Sequence, residues 1–405
     1  MTEPKKHSRR LIDRFLDDSY SPETRRHVGT LTIARITTNG CFRFAPPFLA
    51  SISHDFNISL SRLGLALMFT EITMATAPIL GSYVDRVHRR TAMVGGLIGL
   101  SGATAMAAAS PSLWVFMIGI LLLGICKFIF DMGLAAWVND HVDYERRSRV
   151  IGLTETSWAL GLLIGVTSMG LVASATSWRW GYAAGALSVA LMAVVVATRL
   201  DGHDVVGSQR IQQRQKTPMP IRGFWIVGAM FFLMAASQTM FVTFGSWLDD
   251  EFGFTEAGIS AVAFGLGAFE LFASITSARR TDLWGKERSA MLGAGIIVPA
   301  GLLLTVGHNH LIFGLILLGI YLLGFEFAIV SLLPLGANLI AHSPARGLGI
   351  VLAGGALGRA SMSVIATATY DSFGINVPAF IGACSALCTI LCMIAYSRTT
   401  KESVL

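Results

Sequence analysis

The fold of this chain is decided by the stretch Gly81-Ser82-Tyr83-Val84-Asp85-Arg86-Val87-His88-Arg89-Arg90. This short, basic stretch lies between two long apolar segments, near residues 60–82 and 91–109. A helix needs about 20 apolar residues to cross the hydrocarbon core of a bilayer, and both segments reach that length. The stretch is therefore predicted to be a tight loop between two membrane-spanning helices, with its arginines anchoring it on one side of the membrane.

Apolar segments of this length recur along the whole chain of 405 residues. Only 14% of the residues are charged, where a soluble domain carries about 25%, and the mean hydropathy is +0.61. Helices satisfy their backbone polar groups within one segment, and these segments are too long and uniform for the strands of a membrane barrel. We therefore predict an all-α membrane protein with twelve transmembrane helices in two pseudo-symmetric six-helix halves. The predicted spans, numbered 1 to 12, lie near residues 28–51, 60–82, 91–109, 113–137, 150–173, 178–198, 222–247, 258–279, 288–306, 310–335, 346–370 and 374–396.

One polar segment between spans 6 and 7 divides the chain into two parts of similar length. It is the only long hydrophilic segment between spans, and it is therefore predicted to link two bundles. The predicted domains are an N-terminal tail (1–27), a first six-helix bundle (28–198), a linker (199–221), a second six-helix bundle (222–396) and a C-terminal tail (397–405).

The basic residues lie almost entirely on one side of the predicted membrane. Of the 31 Lys and Arg residues, 25 fall in the tails, linker and loops of one side, 2 fall on the opposite side and 4 lie within spans. By the positive-inside rule, both termini and the linker are predicted to be cytoplasmic, in a multi-pass protein of a cell membrane that we take to be a bacterial inner membrane. This distribution explains the net charge of +6 without nucleic acid as a partner.

The loop between spans 2 and 3 resembles the signature G-x-x-x-D-R-x-G-R-R of the major facilitator superfamily. Five residues match it, and they are Gly81, Asp85, Arg86, Arg89 and Arg90. His88 stands where a glycine is usual. The resemblance implies the fold of that superfamily, secondary transport by alternating access, and a role for the five residues as a conformational gating motif. A weak echo follows 197 residues later, at Ala278, Asp282 and Lys286.

The fifth span is similar to the G-x8-G-x3-G-P-x2-G-G signature of antiporters in this superfamily, which are mostly exporters. The matching residues are Gly152, Gly161, Gly165 and Gly170. Val166 replaces the proline of the signature, and Met169 replaces one glycine. The resemblance implies an antiporter-like helix, although the residue that would kink it is missing. The alternative is a face of small residues that serves close helix packing.

Nine ionisable residues fall within the predicted spans, and each costs at least ~2.5–3.5 kcal/mol to insert. They are Arg35, Arg43, Glu71, Lys127, Asp131, Glu155, Glu270, Glu326 and Arg359. Four are basic and five are acidic, a balance too even to predict the charge of a substrate. Arg35 and Glu155 lie near the cytoplasmic edge, where we expect Arg35 to extend toward the membrane surface and Glu155 to pair with nearby arginines.

Three of the carboxyls, Glu71, Asp131 and Glu270, are predicted to couple transport to protons. Glu71 and Glu270 occupy equivalent positions in spans 2 and 8. Poor hydration favours the protonated form of a carboxyl, which allows it to load and release a proton near neutral pH. The alternative is that each carboxyl is permanently paired with a basic residue of the spans.

Substrate is predicted to bind at the midplane between the halves. The candidate residues are Arg43, Lys127, Glu326 and Arg359. Pro46 and Pro47 are expected to bend span 1 beside Arg43 and make it a cavity wall. Lys127 and Asp131 are four residues apart and share a helix face, so they can form a purely structural ion pair or act in transport.

Taken together, these features predict a proton-coupled antiporter that exports a small organic solute. The partners are then the solute, protons and the lipid bilayer, and the protein is expected to be a monomer. A proton-coupled importer and a transporter-like solute sensor are the alternatives, while a channel is disfavoured by the two-half design. No nucleotide-binding loop, nucleophile elbow or zinc-protease motif occurs, so neither an enzyme, a cofactor nor a metal site is predicted.

Overall fold

The computed structural model describes most of the chain as helices. The described residues are 20–73, 84, 87–142, 144–200, 219–340 and 344–402. Strands are absent from these ranges, which confirms the predicted all-α class. The predicted domain boundaries remain a prediction, because most of the N-terminal tail, most of the linker and the end of the C-terminal tail lie outside these ranges.

Where their ends are described, the first six spans begin and end within six residues of their predicted positions. Span 1 consists of Pro22–Arg43, the 3₁₀ turn Pro46–Phe48 and Leu49–Phe56; span 2 contains Leu60–Ile72; span 3 is Arg89–Ala108; span 4 is Leu113–His141; span 5 contains Tyr144–Glu155, Ser157–Leu160, Gly161–Val166 and Thr167–Ala175; and span 6 is Trp178–Arg199. The connections between spans 1 and 2, 3 and 4, and 5 and 6 are short, so the spans that they join run in opposite directions.

The second six spans follow the same pattern. Span 7 consists of Arg222–Phe241 and Phe244–Phe252, span 8 is Glu256–Trp284, span 9 is Lys286–Gly307, span 10 is Leu311–Ala337, span 11 is Pro344–Phe373 and span 12 is Asn376–Glu402. Within the described residues, ten helices are long and apolar enough to cross a membrane, and they correspond to spans 3 to 12. Span 1 is more polar, and the described helix of span 2 has only 13 residues.

Spans 1 and 7 are both interrupted, and they meet at their interruptions. Span 1 passes into the 3₁₀ turn at Pro46, which is the predicted bend. Span 7 is interrupted between Phe241 and Phe244. A Cβ atom on Gly245 would lie 1.9 Å from the carbonyl oxygen of Pro47, so only glycine permits this approach.

The two halves pack through span 2 against span 11 and through span 5 against span 8. We call the end where span 1 begins the terminal end, and the opposite end the distal end. Contacts between the halves extend from mid-span to the distal end. They include Gly64 against Thr367, Gly170 against Ser260, the hydrogen bond of Ser51 to Glu256 (3.0 Å), and that of the Ser61 amide to Asp371 (2.9 Å).

Candidate functional site

Arg43 and Glu270 form a buried ion pair that joins the two halves at mid-span. The Arg43 guanidinium donates to both oxygens of the Glu270 carboxylate, over 2.7 and 2.8 Å. It also donates to the backbone carbonyl of Trp158 over 2.9 Å. The two side chains are only 3% and 1% exposed. One guanidinium therefore connects spans 1, 5 and 8. Its two parallel hydrogen bonds to the carboxylate are the bidentate geometry to which arginine is suited.

A second buried ion pair joins the halves through spans 2 and 11. Arg359 Nη2 donates to Glu71 Oε1 over 2.7 Å. The other carboxylate oxygen of Glu71 is buried and accepts no hydrogen bond from any described residue. Here the first half supplies the carboxylate and the second half the arginine, which reverses the polarity of the Arg43–Glu270 pair.

Two pairs of equivalent polar residues in the two halves are separated by the same number of positions along the sequence. Glu71 and Glu270 are 199 positions apart, as are Asn39 of span 1 and Gln238 of span 7. Asn39 Nδ2 donates to a serine of span 5, Ser157 Oγ, over 3.2 Å. Gln238 Nε2 donates to a serine of span 11, Ser363 Oγ, over 2.8 Å. The internal repeat is thus clearer in these buried side chains than in the loop echo. We did not single out Asn39 from the sequence, although its spacing to Gln238 was a usable signal.

A third cluster of charges lies nearer the terminal end, within the first half. Lys127 Nζ donates to Asp131 Oδ2 over 2.5 Å. Arg35 donates to Asp131 Oδ1 over 3.2 Å and to Glu155 Oε1 over 2.8 Å. The predicted extension of Arg35 to the membrane surface was therefore wrong, because two carboxylates of spans 4 and 5 lie within its reach. Asp131 and Glu155 are 21% and 49% exposed, so this cluster is the most open of the three.

Glu326 of span 10 differs from the other central carboxyls. It is buried, and it accepts a hydrogen bond from Ser274 Oγ of span 8 over 2.5 Å. The charged side chains that act on it are Glu270, Arg43 and Glu155. No basic side chain in the described part of the chain forms an ion pair with it. The structure thus brings Glu326 beside the Arg43–Glu270 pair, whose guanidinium is already bound to Glu270.

Aromatic rings border the charged groups of the first half. The Arg43 guanidinium lies 4.6 Å from the ring centroid of Trp158 and 4.9 Å from that of Phe241. The Lys127 ammonium lies 5.4 Å from the centroid of Phe42. Cations at these distances are attracted by the ring faces. The contacts of Trp158 with Arg43 show that this tryptophan faces the central charges.

Part of the loop signature can be located. Arg89 donates to Asp140 of span 4 over 2.9 Å and to the carbonyl of Val84 over 3.0 Å, and Arg90 donates to the carbonyl of Ala197 in span 6. The other three predicted gating residues, Gly81, Asp85 and Arg86, lie outside the described residues. The two described arginines therefore fasten this loop to spans 4 and 6 at the terminal end.

The glycines of span 5 have different surroundings. A Cβ on Gly161 would lie 2.5 Å from Asn39 Cβ, and one on Gly165 would lie 2.7 Å from Gly40 Cα, both in span 1. Gly170 faces Ser260 and Phe48, whereas Gly152 has no heavy atom within 4 Å of such a Cβ. Residues Gly161–Val166 form a π-helix. This irregularity lies where Val166 replaces the proline of the antiporter signature, so the helix is interrupted there without proline.

Two bundles of membrane spans that meet at buried charged groups near mid-span are typical of a membrane transporter. A sequence model of the Major Facilitator Superfamily matches residues 31–347, and the chain belongs to that family. This match confirms the resemblance to that superfamily that was inferred from the loop between spans 2 and 3. Members of this family are secondary transporters that work by alternating access, and they are not enzymes.

Similar proteins support this assignment. The chain is 25% identical to the class C tetracycline resistance protein of Escherichia coli, over 66% of this chain and 69% of that protein. It is 22% identical to multidrug resistance protein 1 of Bacillus subtilis, over 69% and 73% of the two chains. The fold resembles the crystal structure of a bacterial homologue of the human lysosomal transporter Spinster, with a TM-score of 0.71, 13% identity, and coverage of 94% and 98%.

Proposed function

We propose that the protein exports a small organic solute in exchange for protons. The observation that carries this proposal is the pair of buried ion pairs between the halves, Arg43–Glu270 and Arg359–Glu71. Breaking a buried ion pair by neutralising one partner costs about 3–5 kcal/mol. Protonation of either carboxyl would therefore weaken the contact between the halves and shift the equilibrium between the two orientations of the transporter.

Each group of residues has a role in this proposal. Glu71 and Glu270 accept the protons that release the interface, and Asp131 relays them to the more open terminal end. The substrate binds between the halves, against Arg43, Lys127, Glu326 and Arg359. In the orientation in which the terminal end is closed, the loop signature holds that end together. The glycines of span 5 allow spans 1 and 5 to move as one body.

Two observations favour export over import. In this proposal the terminal end is cytoplasmic, as the positive-inside rule favours, and the most open charged cluster lies toward that end. The similar proteins named above include a tetracycline resistance protein and a multidrug resistance protein. Import by proton symport would use the same ion pairs and differs only in the side from which the solute enters.

The proposal is tested with purified protein in liposomes that contain a pH-sensitive dye. A proton gradient is imposed, and pools of candidate solutes are supplied inside only or outside only. We expect solute inside to drive proton entry, and Glu270→Gln to reduce this exchange at least tenfold, or about 1.4 kcal/mol. The matched control is Glu287→Gln, since the Glu287 carboxylate accepts a hydrogen bond from Ser397 near the terminal end, away from the central ion pairs.

Two results would refute the proposal. Full exchange in both Glu71→Gln and Glu270→Gln would show that neither ion pair couples protons to transport. Proton entry that requires solute outside would establish symport, and the protein would be an importer.

A further inference from the structure

Trp158 of span 5 contacts Arg43 twice, through its ring and through its backbone carbonyl. We infer that Trp158 is a positioning residue that holds the Arg43 guanidinium when the two halves part and Glu270 moves away. Removal of the indole ring then disfavours the parted state. This inference rests on the proposed function, because it concerns the ion pair that releases the interface there.

The contacts of Arg43 divide according to the half that supplies them. Glu270 and Phe241 belong to the second half, and they supply the carboxylate and a ring whose centroid lies 4.9 Å from the guanidinium carbon. Trp158 belongs to the same half as Arg43. It supplies a ring at 4.6 Å and a carbonyl oxygen at 2.9 Å. Separation of the halves therefore removes Glu270 and Phe241 together and leaves Trp158 in place.

Span 5 is held against span 1 by contacts within the first half. A Cβ atom on Gly161 would lie 2.5 Å from Asn39 Cβ, so the two helices touch there. The Asn39 amide donates to Ser157 Oγ, in the residue before Trp158, over 3.2 Å. Because these contacts do not involve the second half, the position of Trp158 relative to Arg43 is expected to persist when the halves separate.

The parted Arg43 needs a partner of this kind. A buried charge that loses its counter-ion is costly, and among the described residues no carboxylate of the first half forms an ion pair with Arg43. The face of an aromatic ring attracts a cation, most strongly where the cation is shielded from water. That attraction is larger when no carboxylate neutralises the guanidinium. The Trp158 ring therefore contributes more to the parted state than to the joined state.

Phe241 provides the opposite case. Its ring contacts Arg43 only while the halves are joined, so its removal disfavours the joined state. Removal of the Trp158 ring disfavours the parted state instead. A general loss of packing would open the interface in both variants and cannot give effects of opposite sign. Side-chain substitution at Trp158 also keeps the backbone carbonyl, so the effect measured belongs to the ring.

The inference is tested by thiol labelling, which requires neither protons nor transport. Ser260 is buried against Gly170 in the distal contact between the halves, so Ser260→Cys should react with a maleimide only when that contact opens. Purified protein in lipid nanodiscs is labelled, and the protein without Ser260→Cys gives the background from the natural cysteines. We expect Trp158→Leu to slow labelling about threefold and Phe241→Leu to speed it about threefold.

Three further variants assign these effects to the ring and the guanidinium. Trp158→Phe, which keeps an aromatic face, should restore most of the wild-type rate. Trp114→Leu should match the wild type, because Trp114 is 72% exposed on the outer surface of span 4. In an Arg43→Gln background, where no cation lies between the rings, Trp158→Leu should no longer slow labelling. Labelling in Trp158→Leu that equals or exceeds the wild-type rate would overturn the inference, as would slowing that persists without Arg43.

The two proposals fail separately. If Trp158→Leu and Phe241→Leu shift labelling in opposite directions but liposomes show no proton-driven exchange, proton-coupled export is wrong and the role of Trp158 stands. If liposomes exchange protons for a solute while Trp158→Leu leaves labelling unchanged, export stands and the role of Trp158 is wrong.

Discussion

At the scale of single residues, the two arginines of the central layer bind their carboxylates differently. Arg43 makes two hydrogen bonds to Glu270 and a third to the carbonyl of Trp158. Arg359 makes one hydrogen bond to Glu71. The planar fork of arginine supports the first arrangement, whereas the single contact of Arg359 needs only a positive charge.

This difference predicts unequal effects of lysine at the two positions. Arg43→Lys should lose proton-driven exchange about tenfold, since an ammonium ion cannot reproduce the bidentate contact or the stacking on Trp158. Arg359→Lys should keep exchange within about threefold, because one charge-assisted hydrogen bond suffices there. Initial rates in the liposome assay measure both. Exchange retained equally in both variants would show that charge alone, and not the bidentate geometry of Arg43, holds the interface.

At the scale of helices, span 5 approaches span 1 so closely that only glycine fits at two of its positions. Gly161 and Gly165 face Asn39 and Gly40 backbone to backbone, beside the π-helix Gly161–Val166. The close approach keeps Asn39 within reach of Ser157. These contacts are a packing face, which was the alternative interpretation of the glycine pattern, and they also position residues of the central site.

The approach predicts a sharp contrast between two Gly→Ala variants of the same helix. Gly165→Ala introduces a methyl group 2.7 Å from Gly40 Cα, and overpacking of this kind costs about 1–3 kcal/mol. Its thermal unfolding temperature in detergent should fall, and its exchange rate with it. Gly152→Ala has open space around the new methyl group and should match the wild type. An unchanged Gly165→Ala variant would mean that spans 1 and 5 separate at no cost.

Much of the helix pattern could be predicted from the sequence, because a long apolar segment in lipid must satisfy its backbone hydrogen bonds within itself, and an α-helix does so. The bounds of spans 3, 6 and 9 agree with the structure to within two residues. The Lys127–Asp131 pair followed from their spacing within one helix. By contrast, Arg43 and Glu270 are 227 residues apart, and the rotation of each helix about its axis decides whether they meet. Packing sets that rotation, and hydropathy does not report it.

At the scale of the whole molecule, the halves are joined from mid-span to the distal end. Ser51 and Glu256 are in contact there, at a side-chain distance of 3.0 Å. Alternating access requires this contact to open during each cycle. A covalent link between the two positions should therefore hold the protein in one orientation.

Cross-linking tests this expectation. In the double variant Ser51→Cys/Glu256→Cys, a bifunctional methanethiosulfonate that forms a disulfide with each cysteine should stop proton-driven exchange almost completely, and a reductant should restore it. Each single variant should be insensitive to the same treatment, which controls for the five natural cysteines. Disulfide formation is verified by a thiol-labelling assay before and after reduction. Continued exchange through the linked protein would exclude separation of the halves at this point.

The reversed polarity of the two central ion pairs has a consequence for the membrane potential. The first half contributes Arg43 and Glu71 to this layer, and the second half contributes Glu270 and Arg359. Each half thus receives one positive and one negative group from these two ion pairs, and the pairs add no net charge to either half. A charge moved through the field gains or loses about 2.3 kcal/mol per 100 mV, but a neutral pair that moves as one body gains almost nothing. Reorientation of these two ion pairs should therefore depend little on voltage, so a voltage-dependent step must come from the protons and solutes carried across or from the ionisation of Glu326.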